Sequence, residues 1–193
     1  MTDIQLILAS GSPRRSDLLN TMGVPFTVHV PDIDESRREE ELAEDYVTRM
    51  AREKARAAYA ELDPAKYAIL AADTVVVQGE RIYAKPRDFE HAQQIWQSLG
   101  AAKHQVMTAV CLMVHDKLSV KLGLTDVEFA TITDAQMHAY WKSGEPQDKA
   151  GAYAIQGLAS AWVKSIQGSY SNVVGLPLRE VNELLGTIEM NWL

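Results

Sequence analysis

Apolar and polar residues fall along this chain in blocks whose period switches between two and about 3.6, and the blocks define an alternation of strands and helices. Residues 4–9, IQLILA, read as a strand. Ser10-Gly11-Ser12 follows, and Pro13 opens an amphipathic helix that carries Leu18, Leu19 and Met22 and stops at Gly23. Ser12 stands at the N-cap, and proline suits the first helical position because it has no N–H to leave unbonded. Residues 26–30 give a second strand, followed by a loop with Asp32, Asp34 and Glu35. A long helix is expected over 39–61, with Leu42, Ala43, Tyr46, Val47, Met50 and Ala51 as its buried stripe. Extending that stripe brings Lys54 onto it, while Arg49, Arg52 and Arg56 fall elsewhere and are read as solvated.

Residues 68–72 form a short apolar run that ends in Asp73, before a second, β-branched run from Thr74 to Val77. A continuous apolar run of this length suits a strand buried on both faces, with Asp73 at its carboxyl end. Gln78-Gly79-Glu80-Arg81 reads as a hairpin turn returning through Ile82 and Tyr83. Lys85-Pro86-Arg87-Asp88 leads into a helix carrying Ala92, Ile95, Trp96 and Leu99, ended by Gly100. Strands are expected at 104–115 and 118–130, a helix at 134–142, a strand at 161–166 and a last helix at 178–185. The stretch 144–157 has no helix or strand pattern yet holds Ala150, Tyr153 and Ile155, which marks a packed, functional loop.

The order is that of an α/β fold. At 193 residues and 47% hydrophobic, the chain fits one domain over 1–193, with room for two lobes. Its single cysteine, Cys111, lies in an apolar run and reads as a buried small side chain, and the five histidines show no metal-ligand spacing. No apolar run approaches the ~20 residues that span a bilayer. The start of the chain lacks a signal-peptide pattern, so a cytoplasmic protein with no membrane partner is expected. The net charge of −7 argues against a broad nucleic-acid surface, but not against a small polyanion met by a few placed cations. The two apolar strands of 104–130 are either core or the face of a homodimer.

Those cations have candidates. A strand, a small-residue turn and a helix N-terminus present N–H groups and partial positive charge to an anion. Arg14 and Arg15 add charges where the helix dipole disfavours them, so they are either solvated or held by something negative. Lys54 either snorkels to the surface or projects into a cleft, and Lys85 is either a surface lysine or one that reaches toward Asp73. Asp73 is either a turn acid or a working carboxylate, and the acidic loop is either solvated or a donor set for a hard divalent cation. Taken together, cations and a metal neutralise phosphates while a carboxylate deprotonates or orients water, as hydrolysis of a nucleoside triphosphate requires.

The motifs ASGSPRR, REKA at 52–55, ADTVV at 72–76, KPRD at 85–88, DKAGAYAIQG and GSYSNVVGLPL resemble, in order and over nearly the whole chain, those of the Maf family of nucleotide pyrophosphatases. The pattern is most similar to the branch acting on dTTP and UTP, on the strength of GAYAIQG, Thr74 and Arg14, and not to the branch acting on 7-methyl-GTP. The resemblance implies an elongated mixed sheet flanked by helices, with two lobes, a central cleft and a requirement for Mg2+ or Mn2+. Asp73 matches the catalytic acid; Arg14, Thr74 and Gln156 match positions tied to base specificity. Ser10, Arg15, Glu35, Lys54 and Lys85 match substrate- or metal-handling positions; Ser12 belongs to the phosphate turn, and Glu35 and Asp73 would place the metal. Tyr83-Ala84 departs from the Leu-Gly or Leu-Glu usual in that family. Alternatives are a pyrophosphatase for purine triphosphates such as inosine triphosphate, and a nucleotide-binding regulator of septum formation with little turnover.

Overall fold

Strand β1, Gln5–Ala9, is apolar after its first residue because both of its faces are covered. In the computed structural model, which describes residues 4–188, β1 lies between β2 (Phe26–Val28) and β3 (Tyr67–Gln78), parallel to both. The remaining elements are α1 (Pro13–Thr21), α2 (Ala43–Glu61), β4 (Arg81–Tyr83), α3 (Phe89–Leu99), β5 (Lys103–Val114), β6 (Lys117–Phe129), α4 (Asp134–Lys142), β7 (Val163–Gln167), α5 (Tyr170–Val174) and α6 (Leu178–Leu185). The mixed sheet runs β2-β1-β3-β5-β6-β7, and β4 pairs antiparallel with β3.

By contacts the chain forms two compact units. The first holds the residues up to Asp73, Thr108–Gly123 and those from Gly175 on; the second holds Thr74–Met107 and Leu124–Val174. In the first, Leu6 and Leu8 of β1, Leu19 of α1, Leu70 of β3, Leu112 of β5 and Leu184 of α6 form one core. Ile7, Ala9, Ile69 and Ala71 are buried on the opposite pleat of β1 and β3, and α2 packs on β1 with Val47, Met50, Ala51, Ala55 and Ala58 fully buried. Small side chains there let helix and sheet approach closely. The β5–β6 turn puts His115 and Asp116 at φ 46° and 63°, as a two-residue type I′ hairpin demands. The Tyr59 hydroxyl accepts the Asp116 N–H at 2.8 Å.

The core of the second unit is aromatic. Trp96 packs on Tyr140 and Trp162 with centroids 5.5 and 5.9 Å apart, and its indole N–H donates to the Ala152 carbonyl at 2.8 Å. Gly151, at φ 70°, lies so close to Val76 that an added Cβ would meet its side chain at 2.9 Å.

Several boundaries differ from the sequence reading. The strand over 26–30 ends at Val28, and the helix expected from 39 starts at Ala43 because Glu40 sits at φ 56°, outside helical space. The strand expected from 161 begins at Val163, since Leu158–Trp162 is a 3-10 turn, and α5 was not anticipated. The largest correction concerns Asp73, which lies inside the twelve-residue β3 and not at its end. The register explains how an acid sits there. β1 pairs as far as Ala9 with Ala71, β4 begins to pair at Val76, and Asp73 falls between these two partners. The predicted edge is the end of β1, while β3 runs on.

Cys111 is fully buried, as expected, and burial pushes its thiol up to about 12. Among the described residues no helix is long and apolar enough to cross a membrane. His104 is 3% exposed, stacks edge-on against Phe129 and Tyr153, and shares a 2.8 Å hydrogen bond between Nε2 and the Tyr153 hydroxyl. Burial pushes its pKa down to about 4, opposed by Asp126. A folded pKa below the unfolded value means that acid favours the unfolded chain. The stability is intact above about pH 6.5 and falls toward pH 4, by about 2–3 kcal/mol at pH 4.5. Unfolding free energies from urea titrations of the wild type and H104Q should diverge by that amount between pH 7 and 4.5, and parallel curves would refute the assignment.

Candidate active site

Where β1 ends, Ser10 turns inward and is 6% exposed. Its hydroxyl accepts the Ser12 N–H at 3.2 Å and the Arg15 Nη1–H at 2.9 Å. Ser12 has the extended backbone of an N-cap, but its side chain makes no capping hydrogen bond, so the hydroxyl that organises the turn is Ser10's. Arg15 donates through Nε to the Gly175 carbonyl at 2.9 Å, a residue at φ 121° that only glycine adopts readily. Burial lowers the pKa of Arg15, the Asp73 carboxylate raises it, Arg14 beside it lowers it and Glu35 raises it. Arg15 therefore stands in the field of the two acids that the sequence singled out.

Those acids meet on Lys54. Its ammonium donates to Asp73 Oδ1 at 2.8 Å and pairs with Glu35 Oε1 at 2.7 Å. The side chains of Lys54 and Asp73 are 13% and 14% exposed, and that of Glu35 is 53% exposed, so the pair is sheltered and Glu35 faces solvent. Lys54 does not snorkel to the surface, and what its ammonium meets is carboxylate.

Glu35 is held in place by residues to which the sequence reading gives other parts. Arg49, taken there as solvated, has a side chain only 14% exposed. It forms a two-pronged pair with Glu41, Nε to Oε1 at 2.6 Å and Nη2 to Oε2 at 2.7 Å, and also donates to the Ser36 carbonyl at 3.0 Å. The Tyr46 hydroxyl donates to the Glu35 carbonyl at 2.9 Å. Glu41 is drawn down to about 2, first by the hydrogen bonds from Arg49, and Tyr46 is pushed up to about 12 by burial and then by Asp73 and Glu35. Only the Arg49–Glu53 pair, at i and i+4, has a spacing readable in sequence. The Glu41–Arg49 contact joins a turn to a helix and has no such signature.

The acidic loop does not present its carboxylates as a set. Asp34 turns back on its own loop and accepts the Ser36 N–H and hydroxyl, both at 2.9 Å. Among the described residues no three His, Cys, Asp or Glu side chains gather as a metal centre. Glu35 and Asp73 remain as a converging, all-oxygen pair. Two carboxylates suit a magnesium-like ion that draws its other ligands from water and phosphate.

The other singled-out residues belong to the second unit. Thr74 is half-buried on β3, and Lys85 is exposed between β4 and α3. The N-cap of α3 is Asp88, whose carboxylate accepts the His91 N–H at 2.8 Å. Gln156 is exposed, directly after Tyr153, Ala154 and Ile155, which are 6%, 7% and 5% exposed. The loop of 144–157 is thus packed on its apolar side, as expected. The first unit brings Ser10, Ser12, Arg14, Arg15, Glu35, Lys54 and Asp73 together.

A family profile described as "Maf-like protein" matches residues 5–188. A protein of Pseudoalteromonas atlantica named dTTP/UTP pyrophosphatase is 49% identical over 187 residues, which covers 96% of this chain and 97% of that one. Proteins of the same name from Escherichia coli O157:H7 and Photobacterium profundum are 51% and 44% identical, each covering at least 93% of this chain and 91% of its own.

Because Arg49 ties the loop to α2, R49M should free the loop while leaving the sheet intact. Amide hydrogens of 34–41 should exchange faster and stability should fall by ~2 kcal/mol, as Glu41 loses a charge-assisted partner. Unchanged protection in that segment would show that Arg49 does not restrain it.

Proposed function

The chain belongs to the Maf-like protein family, and from that premise we propose that it hydrolyses dTTP and UTP to the monophosphate and pyrophosphate. The observation that carries the reading is the Lys54 ammonium held between Asp73 and Glu35 at 2.8 and 2.7 Å, in the field of Arg15. A sheltered carboxylate beside cations is what water activation next to a polyanion needs. Asp73 takes a proton as the water oxygen attacks the α-phosphorus. The bond from that phosphorus to the bridging oxygen breaks, and pyrophosphate leaves with the electron pair.

Arg14, Arg15, Lys54 and Lys85 offset the triphosphate charge, and the Ser10–Ser12 turn supplies N–H donors. Glu35 and Asp73 would hold Mg2+ or Mn2+, which supplies further charge neutralisation when bound. Arg14, Thr74 and Gln156 select the base; the Gln156 amide both donates and accepts, matching a uracil or thymine edge. The reading makes residues 1–193 one catalytic domain, although 1–3 and 189–193 lie outside the described residues. It also makes the enzyme cytoplasmic, with a nucleotide and not a nucleic acid as its partner.

Pyrophosphate release from UTP, dTTP, inosine triphosphate and 7-methyl-GTP, with and without magnesium, tests the activity and the base class together. UTP and dTTP should lead, and only with metal. Binding of UTP with no metal-dependent release would favour a regulator of septum formation instead. D73N keeps the shape and removes the base, so turnover should drop about 10²- to 10⁴-fold with UTP still bound. Near-normal turnover would reassign Asp73.

A further inference from the structure

The exposed Gln156 is flanked on both sides by backbone that one side-chain pair holds. Tyr140, on α4, is 3% exposed and wedged against Trp96 and Trp162, with centroids 5.5 and 4.8 Å away. Its hydroxyl accepts the Ala154 N–H at 3.0 Å and donates to Glu145 Oε1 at 2.7 Å. Glu145 Oε2 accepts the Leu158 N–H at 3.1 Å. The two bonded amides are those two residues before and two residues after Gln156. Between them the chain turns, with the Gly157 N–H donating to the Ala154 carbonyl at 3.1 Å.

Gly157 confirms how close the carboxylate lies. A Cβ built there would collide with both carboxylate oxygens of Glu145, so glycine is the residue that lets Glu145 reach the turn. Glu145 is itself anchored. Its N–H donates to the Ser143 hydroxyl at 3.2 Å, and its carbonyl accepts from Lys149 Nζ at 2.6 Å. Each carboxylate oxygen thus faces a donor. α4, which carries Tyr140, is closed at its start by the Thr133/Gln136 capping box, so the clamp is built on a fixed helix.

We propose that Glu145 and Tyr140 are positioning residues that hold the turn bearing Gln156, and so set selectivity for the nucleotide base. The proposal rests on the reading of Gln156 as the residue that meets the base. A flexible glutamine satisfies donors and acceptors of either polarity. One whose backbone is pinned on both sides leaves the turn at one point and in one direction, so its amide meets a base edge at one place, and loosening the turn costs that discrimination. Glu145 and Tyr140 act through the turn alone, so their effect falls on recognition and not on the bond-breaking step.

E145Q is the same size but must turn an N–H toward either the Leu158 amide or the Tyr140 hydroxyl. The readout is the ratio of Kd for CTP to Kd for UTP, measured in the D73N background so that it does not depend on turnover. E145Q should reduce that ratio about 10-fold or more, Y140F should do likewise, and in active enzyme the loss should fall on KM more than on kcat. With Gln156→Ala already present, E145Q should change the ratio no further, since both act through one group. Equal weakening of UTP and CTP, or an additive effect in the Q156A background, would reduce Glu145 to a structural residue and overturn the proposal. An unchanged ratio in Q156A alone would overturn it as well. Loss of pyrophosphate release in the wild type would leave these binding ratios readable and would count against the hydrolytic reading alone.

Discussion

Lys54 is where segments far apart in the chain are obliged to meet. It sits in α2, Asp73 in β3 and Glu35 in the loop after β2, and the ammonium reaches both carboxylates within 2.8 Å. Sheltering a carboxylate from water is costly unless a counter-charge is supplied close by, and removing one partner leaves the other stranded. The position of α2 over the sheet is therefore not free. The helix must present Lys54 at Asp73 while its alanines at 51, 55 and 58 stay fully buried. The packing of a helix on a sheet and the placement of a charge are one constraint.

The same coupling extends outward. Glu35 reaches Lys54 from a loop without regular structure, so something else must fix that loop. Arg49 and Tyr46, also on α2, reach Glu41, Ser36 and Glu35 from the helix side. One helix thus carries the ammonium and the groups that hold the loop. Arg15 plays a comparable part at the β1 turn, where it bonds Ser10 and Gly175 and feels Asp73 and Glu35. Each of these cations has a structural bond as well as an electrostatic one.

What the sequence made legible follows from the range of the forces involved. Apolar periodicity located β1, α4 and α6 to within a residue, because the stripe that defines each is local. The resemblance to the Maf family singled out Ser10, Arg15, Glu35, Lys54 and Asp73, and they gather in one unit. What stayed hidden depends on neighbours. β3 continues past Asp73 because strand partners change there, which a single strand's own residues do not encode. Ser12 was read as a cap by propensity, and Ser10 took the organising role through a tertiary contact with Arg15. Arg49 read as solvated because its partner Glu41 lies in a turn whose shape depends on Glu40 at φ 56°. Gly157 gave no hint that a carboxylate fills the space its missing side chain would occupy.

The aromatic core around Trp96 has an optical consequence. Trp96, Trp141 and Trp162 all belong to the second unit, and the chain's fourth tryptophan, Trp192, lies outside the described residues. Trp96 bonds the Ala152 carbonyl and touches Tyr140 and Trp162, so its indole is wired to the loop of 144–157 that carries Gln156. Ultraviolet emission from Trp96 is consequently a label already installed beside that loop, and a fluorimeter can follow it without any dye.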